Sequence, residues 1–262
     1  MRAQGKEVTW LKHEKDERSV LFEYLDDNDC TIYSYGEAQN EVHELETILE
    51  GLQKYDSPDM YAIVGNMLVI IEHFAFDASR ETKRKGMERI RKDREAHAKM
   101  WADVMNGNIP AVIVTQARET LSLHTWQMNF EKHFGSHYAK IGQYIENAKK
   151  AANTEQSIET EEIVRCKTGF FIEEEFPPIL DVNGTLREVR YIETKQFLDF
   201  FRDKIKVDFI LFGTQYNGHS CVFYIDHKHT ADRDTAFDLR NVNINIANIN
   251  KNERTFRFLE KL

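Results

Sequence analysis

The chain has 262 residues, of which 41% are hydrophobic and 30% are charged, with 12 glycines and 4 prolines. This composition is typical of a folded globular protein and excludes a low-complexity or intrinsically disordered chain. The formal net charge is -9, which excludes a surface that is basic throughout but not a local basic site.

Membrane spans and disulfides are not expected either. No run approaches the roughly 18 uninterrupted apolar residues that a membrane span needs, and the first residues lack the apolar segment of a signal peptide. The three cysteines, Cys30, Cys166 and Cys221, are far apart and form no CxxC pair, so neither a zinc ribbon nor a disulfide framework is predicted. We therefore expect a cytoplasmic protein with no membrane partner.

The first predicted elements are a helix and a hairpin. Residues 35–52 carry apolar side chains at every third or fourth position, which predicts an amphipathic helix that ends before Pro58. Two β-rich runs follow, MYAIV at 60–64 and MLVIIEHFAF at 67–76, and Gly65-Asn66 between them predicts a tight turn. The second run is apolar on both faces, which favours a central strand.

Helical patterns and a second β-rich region make up the remainder of the chain. Residues 87–105 and 121–152 have helical spacing, and the second of these segments carries a stripe of aromatic side chains that we expect to face a core. A strand at 162–174, a helix at 193–204 and a strand at 207–213 are predicted after it.

This order of elements indicates the fold class. Without the helical block it reads αβββαβ, which predicts an α/β protein with a mixed sheet. The strands on either side of the block are too few for two independent sheets. We therefore predict a single domain over residues 1–262, with a large helical insertion at about 87–152.

Two acids of the predicted hairpin form a candidate site. Asp59 lies just before the first strand and Glu72 near the end of the second, so antiparallel pairing would bring their carboxylates to one end of the sheet. Carboxylate oxygens are the hard ligands that Mg²⁺ prefers, and a bound Mg²⁺ can activate water and neutralise charge in phosphodiester hydrolysis. A hairpin with polar ends is the simpler structural alternative.

The chain resembles the PD-(D/E)xK nuclease superfamily. The residues that carry the resemblance are Pro58-Asp59, the sequence EHF at 72–74, and the acids Glu41 and Glu44 of the preceding helix. The resemblance implies an αβββαβ, restriction-endonuclease-like core and cleavage of nucleic acid, with Mg²⁺ or Mn²⁺ held by Asp59 and Glu72. It also implies that Glu41 or Glu44 supplies a helper carboxylate.

One position departs from the family pattern, because Phe74 stands where the family has a lysine two residues after the second acid. A phenyl ring can neither orient water nor stabilise the phosphorus centre. The candidates for a relocated amine are Lys83, Lys85 and Lys167. His73 could instead polarise water, although alternation along the strand should point it away from the face that holds Glu72.

The basic segment at residues 79–99 is a candidate nucleic-acid interface. A phosphate must approach carboxylates that repel it, and nearby cationic side chains offset that repulsion. The same charges could instead form a solvated helix face. The residues expected to contact nucleic acid, DNA more than RNA, are Arg80, Lys83, Arg84 and Lys85.

Two further sets of polar residues are weaker candidates. Asp208 begins a predicted strand, and the next strand is followed by Asp226-His227-Lys228, a literal DxK. We rank this site second because only the upstream site assigns every element of αβββαβ. His133 and His137 have the spacing by which a helix can hold zinc, but no HExxH motif is present, so exposed or core histidines are expected.

The sequence therefore supports three hypotheses. The first is a magnesium-dependent endonuclease or exonuclease that acts in phage defence or DNA processing. The second is a catalytically inactive member of the same fold that serves as a binding or assembly module, with Phe74 marking the lost lysine. The third is an interaction protein, for example a homodimer, that associates through the aromatic stripe around residues 126–144.

Overall fold

The fold is α/β. A computed structural model describes residues 17–26, 32–34, 39–76, 123–156, 163–174, 179–182, 185–216, 219–228, 230 and 234–241. In this part of the chain, helices cover both faces of a seven-stranded mixed sheet. The predicted α/β class with a mixed sheet is confirmed. Among the described helices, none combines the length and the apolar character that crossing a bilayer would take.

The structure describes five helices and nine strands. The helices are α1 Glu17–Asp26, α2 Gln39–Glu50, α3 Leu123–Tyr138, α4 Ile141–Gln156 and α5 Lys195–Phe201. The strands are β1 Ile32–Ser34, β2 Gln53–Lys54, β3 Met60–Val64, β4 Met67–Phe76, β5 Arg165–Glu174, β6 Ile179–Val182, β7 Thr185–Glu188, β8 Phe209–Tyr216 and β9 His219–Asp226. Short 3-10 turns lie at Tyr191–Glu193 and Leu239–Asn241.

The strands of the main sheet are ordered β1-β9-β8-β5-β4-β3-β2, while β6 and β7 form a separate hairpin. The three central strands β4, β5 and β8 are parallel, and β3 and β9 run antiparallel to their central neighbours. The predicted hairpin of β3 and β4 is confirmed. Its turn places Gly65 at a φ of 61°, a left-handed conformation that glycine adopts without steric cost.

The helical segment between β4 and β5 is their crossover connection. Neighbouring parallel strands need such a connection, because a tight turn can join only antiparallel ones. Its described helices are α3 and α4, which replace the single helix predicted at 121–152 and are separated by a turn at residues 139–140. Residues 87–122 of the predicted insertion, with the helix predicted at 87–105, lie outside the described residues.

Successive side chains of the central strands point to opposite faces of the sheet and pack into two different cores. On one face, Leu21 of α1 and Ile48 of α2 pack with Ile71 of β4 and Phe171 of β5. The other face is covered by α3 and α5, with α4 packed beside them. The large aromatic side chains of that second core are Phe74, Phe76, Trp126, Phe130, Phe134, Phe170, Tyr191, Phe197 and Phe201. The protein is therefore a three-layer sandwich of helices, sheet and helices.

Helix α3 is fixed on the sheet by its aromatic stripe. Trp126, Phe130 and Phe134 are all 0% exposed, as the prediction of a core-facing stripe requires. Trp126 Nε1 also donates a 2.8 Å hydrogen bond to Oε1 of Glu174 on β5, whose pKa is raised by its burial. His137 lies three residues after Phe134, so it continues the same helix face toward β4. Burial of the three rings leaves none of them exposed for contact with a second copy of the chain.

Candidate metal and catalytic site

Asp59 and Glu72 lie side by side at the end of the β3–β4 hairpin. The last ladder pair before them is Met60 with Ile71. The Asp59 amide donates to Glu72 Oε2 at 3.2 Å, and the His73 amide donates to Asp59 Oδ2 at 2.7 Å. Two main-chain amides therefore bind the two carboxylates. At this end of the ladder, the side-chain oxygens accept the hydrogen bonds that backbone carbonyls accept within the sheet.

The electrostatics of this pair are unfavourable in isolation. The pKa of Asp59 is raised to about 6, first by burial and second by the charge of Glu72, while the hydrogen bond from the His73 amide lowers it. Glu72 itself is only 6% exposed. Two carboxylates in a poorly solvated site repel each other unless a proton or a cation compensates one of the charges.

A histidine from the crossover helices contacts the same carboxylate pair. Nδ1 of His137 on α3 lies 2.8 Å from Oε1 of Glu72, and the His137 ring stacks on Phe74 with centroids 5.2 Å apart. The hydroxyl of Tyr144 on α4 lies 3.3 Å from the same nitrogen. Burial, and then a hydrogen bond to Glu72, raise the pKa of Tyr144. Helices α3 and α4 thus hold the carboxylate that the hairpin presents.

A second carboxylate–imidazole pair lies on the opposite face of the sheet. His73 points away from Glu72, as alternation along the strand predicts, and its ring stacks on Phe171. Its Nε2 lies 2.7 Å from Oε2 of Glu173, which is 0% exposed. His73 therefore contacts both acids, because its amide donates to Asp59 and its ring nitrogen lies against Glu173.

Among the described candidates, Glu44 and Lys167 contact each other and not this pair, since they form a 3.0 Å ion pair. Glu41 belongs to the same helix, α2, but its side chain lies outside the described part of the structure. Lys167 pairs with Val69 across the sheet, three positions before the level of Glu72. An odd separation puts the two side chains on opposite faces, and three residues span about 10 Å.

Lys167, the candidate lysine among the described residues, is paired with Glu44 and not with either acid. At the family's lysine position, Phe74 is 5% exposed and packs among the rings of Phe130, Phe134 and Phe170. This side chain therefore belongs to the core. The remaining predicted cations, Arg80, Lys83, Arg84 and Lys85, lie outside the described residues.

The downstream acids lie at the other end of the parallel strands. Asp226 pairs with Phe209, the first residue of β8, and its carboxylate accepts hydrogen bonds from the Lys228 amide and the Tyr224 hydroxyl. Asp208 accepts from the Thr168 amide at 2.7 Å. Each carboxylate therefore accepts from a backbone amide at a strand end, Asp226 from Lys228 and Asp208 from Thr168.

Sequence reasoning missed three side chains of the upstream site: His137, Tyr144 and Glu173. His137 was predicted to be an exposed or core histidine. One signal was present in the sequence. His137 follows Phe134 by three residues and so continues the apolar stripe of the helix, and a polar side chain on a core-facing stripe needs a polar partner. Nothing in the sequence indicates that this partner is Glu72, which is 65 residues away.

The residues present are compatible with a hard divalent cation. Magnesium is commonly bound by one or two carboxylates, with water completing its coordination. Asp59 and Glu72 supply such a pair, and burial of Asp59, followed by the charge of Glu72, raises the pKa of Asp59. Among the described residues there is no group of three or more His, Cys, Asp or Glu side chains arranged to hold a metal ion.

Comparisons with known proteins found no matching protein-family model, no matching curated protein and no matching solved structure.

The raised pKa of Asp59 predicts a pH dependence of stability. A folded-state pKa above the ordinary value of 3.8 means that Asp59 favours the folded state most below about pH 4, and that this contribution is lost as the pH rises through about 6. The expected loss is about 1–2 kcal/mol, because partial exposure screens the effect. Urea unfolding at several pH values should show Asp59→Asn gaining stability relative to wild type between pH 4 and 7.

The exposed residue Asp56 provides the control for that measurement. The difference between Asp56→Asn and wild type should stay nearly constant over the same pH range. A difference between Asp59→Asn and wild type that is equally constant would show that Asp59 is not held in a repulsive pair.

Proposed function

We propose that the protein is a metal-dependent nuclease of the PD-(D/E)xK type, which hydrolyses phosphodiester bonds of nucleic acid at Asp59 and Glu72. The observation that carries the proposal is the convergence of these two carboxylates, close enough for the charge of Glu72 to raise the pKa of Asp59. Two like charges close together in a poorly solvated site destabilise the fold, and a bound cation offsets that repulsion. Perturbed pKa values of this kind cluster at functional sites.

The order of elements also supports the proposal. When the short strand β2, the helices α3 and α4 and the β6–β7 hairpin are set aside, the order of α2, β3, β4, β5, α5 and β8 is αβββαβ, as in a restriction-endonuclease-like core. Glu72 lies in the carboxyl-terminal half of β4, and ligands of open α/β sheets commonly bind on the carboxyl side of the strands. We propose that the protein acts in the cytoplasm, in phage defence or DNA processing.

Asp59 and Glu72 would hold Mg²⁺ or Mn²⁺, which when bound polarises the phosphate and lowers the pKa of a bound water. The amides of Asp59 and His73 fix the orientation of both carboxylates. His137 and Tyr144 restrain Glu72 from the other side. The basic segment that includes Arg80, Lys83, Arg84 and Lys85 would attract the phosphate backbone, DNA more than RNA.

Cleavage assays test the proposal directly. Plasmid, linear duplex DNA, single-stranded DNA and RNA are each incubated with the full-length chain in Mg²⁺, in Mn²⁺ and in EDTA. We expect cleavage of at least one substrate with either metal and none in EDTA. Asp59→Ala should abolish that cleavage, whereas the matched substitution Asp226→Ala should leave it within a few-fold of wild type.

Two outcomes would contradict this proposal. Loss of cleavage in Asp226→Ala but not in Asp59→Ala would assign the reaction to the downstream acids. No cleavage under any condition would favour the second candidate function, a catalytically inactive binding or assembly module. The specific observation that favours that module is Phe74, whose ring fills the core at the position of the family's lysine.

A further inference from the structure

We propose that a surface formed by Tyr138, Phe200, Lys204 and Lys206 binds the backbone phosphates of nucleic acid. We call it the lysine–tyrosine surface. It joins the last residue of α3 to the end of α5 and to the loop between α5 and β8. This inference rests on the proposed nuclease function and deepens it, because it names a surface that would hold the substrate while Asp59 and Glu72 act on it.

The first argument is that two ammonium groups converge on one ring. Nζ of Lys204 lies 5.6 Å from the centroid of the Tyr138 ring and 4.5 Å from that of Phe200. Nζ of Lys206 lies 5.6 Å from the same Tyr138 ring. A cation at such a distance from an aromatic ring is attracted to it. The rings therefore restrain two long side chains that would otherwise be mobile, which lowers the entropy lost when an anion binds.

The second argument is the local balance of charge. Within the described part of the chain, neither lysine forms an ion pair with a carboxylate, whereas the neighbouring Arg202 pairs with Asp199 at 2.9 Å. Lys206 is exposed and Lys204 is half-buried. Two cations held on one ring repel each other, and a bound anion offsets that repulsion. The surface is thus a positive site on a chain whose net charge is -9.

The third argument is the position of the surface relative to the carboxylate pair. The Tyr138 ring stacks on Phe134 with centroids 6.0 Å apart, and Phe134 contacts Phe170, which is the β5 partner of Glu72 in the ladder. His137, the residue before Tyr138, contacts Glu72 itself. The lysine–tyrosine surface and Glu72 therefore lie on the same face of the sheet, toward α5 and toward α4 respectively, at the end of the same helix.

The width of that helix fits a bound strand of nucleic acid. A helix with its side chains is about 10–12 Å across, and the phosphates of one strand rise about 3.4 Å for each nucleotide. A strand with one phosphate at the carboxylates would thus reach the lysines about three nucleotides away. Lysine binds a phosphate as a point charge, so these contacts would hold the backbone without reading its sequence.

Binding assays test the surface independently of cleavage. The full-length chain is titrated into a short fluorescein-labelled duplex DNA in EDTA, at several salt concentrations, and anisotropy gives the dissociation constant. The double variant Lys204→Gln/Lys206→Gln should bind about tenfold or more weakly at about 0.1 M salt. Each lost phosphate contact removes about 0.9 from the slope of log affinity against log salt, so the slope should fall by about two.

Two further variants separate charge from packing. Lys204→Arg/Lys206→Arg keeps both charges and should retain the wild-type affinity and salt slope. Lys206→Gln alone, at an exposed position, should lower the slope by about one. Circular dichroism and thermal unfolding establish that each variant is folded, and the single variant provides the test if the double variant does not fold.

Lys149→Gln/Lys150→Gln is the matched control. It removes the same two charges from α4, which packs on β3 and β4, and should bind DNA with the wild-type affinity and slope. The same proteins are tested against vesicles of phosphatidylserine and phosphatidylcholine, because anionic lipid headgroups also carry phosphates. We expect the substitutions at 204 and 206 to weaken binding to DNA, and no lysine-dependent binding to the vesicles.

Three results would overturn the assignment of this surface. They are wild-type affinity and slope in the glutamine variants, an equal loss in the α4 control, and lysine-dependent binding to the vesicles in place of DNA. If the wild-type chain nevertheless cleaves DNA, the nuclease proposal stands without this surface. Lysine-dependent binding to DNA with no cleavage under any condition would instead remove the nuclease proposal and leave the surface in place.

Discussion

Replacement of Phe134 by aspartate is expected to unfold the protein. The side chain is 0% exposed and makes ring contacts with Phe74, Phe170 and Phe200 across the interface between α3, the sheet and α5. Removing a buried phenyl ring costs about 3–5 kcal/mol, and a buried unpaired carboxylate adds several more. The sum is comparable with the whole free energy of unfolding of a typical domain, about 5–15 kcal/mol.

Circular dichroism and size-exclusion chromatography measure this outcome. Met128 on the same helix is 48% exposed, so Met128→Asp provides a matched control that should remain folded. A folded Phe134→Asp variant that merely changed from dimer to monomer would show instead that the stripe forms a surface between two copies of the chain.

Replacement of Glu72 by glutamine is expected to abolish cleavage without lowering stability. A bound divalent cation contributes several kcal/mol of transition-state stabilisation, and loss of one of its two protein carboxylates should lower the rate about a thousandfold or more. Glutamine keeps the volume but only one acceptor oxygen, so its NH2 group replaces an oxygen that contacts either the Asp59 amide or His137, at a cost of about 1–3 kcal/mol. It also removes the charge that, after burial, raises the pKa of Asp59, and this relief opposes the loss. Because the two effects oppose each other, the free energy of unfolding should change by about 1 kcal/mol or less.

Urea unfolding at pH 7 and the cleavage rate are measured on the same preparation. Glu46→Gln, the same substitution at an exposed position of α2, should retain both activity and stability. A Glu72→Gln variant that lost several kcal/mol of stability together with its activity would indicate that Glu72 serves the fold. Retained activity would remove Glu72 from the proposed metal site.

The hairpin could be predicted from the sequence because its determinants are local. Strands β3 and β4 have the predicted bounds, since alternation, β-branched residues and the Gly65-Asn66 turn all lie within 17 residues of Met60–Phe76. The juxtaposition of Asp59 and Glu72 followed from the same register. The helix predicted at 35–52 also contains α2, whose apolar spacing is a local pattern.

Other parts of the fold depend on contacts that are distant in the sequence. The three residues of β1 were missed because a strand so short carries no periodic pattern, and its pairing with β9 joins Ile32 to Val222. The division of the helix predicted at 121–152 into α3 and α4 was missed for a different reason. No proline interrupts the sequence between Tyr138 and Ile141, so helical spacing continues across the turn.

The difference between local and long-range contacts also separates the two halves of the candidate site. The carboxylates lie 13 residues apart in one hairpin, whereas the contact of His137 with Glu72 spans 65 residues and that of His73 with Glu173 spans 100. Long-range pairs of this kind depend on how helices and strands are assembled. Periodicity within a segment shows which face is buried but not which residue it meets.

The hydrogen bonds that hold Asp59 and Glu72 come from main-chain amides, which every residue except proline possesses. Their geometry is therefore encoded in the spacing of the hairpin more than in the identity of the donor residues. The number of residues in the turn at Gly65 determines which amide meets which carboxylate. Chain length at that turn is thus a determinant of the site, although the turn itself lies at the far end of both strands.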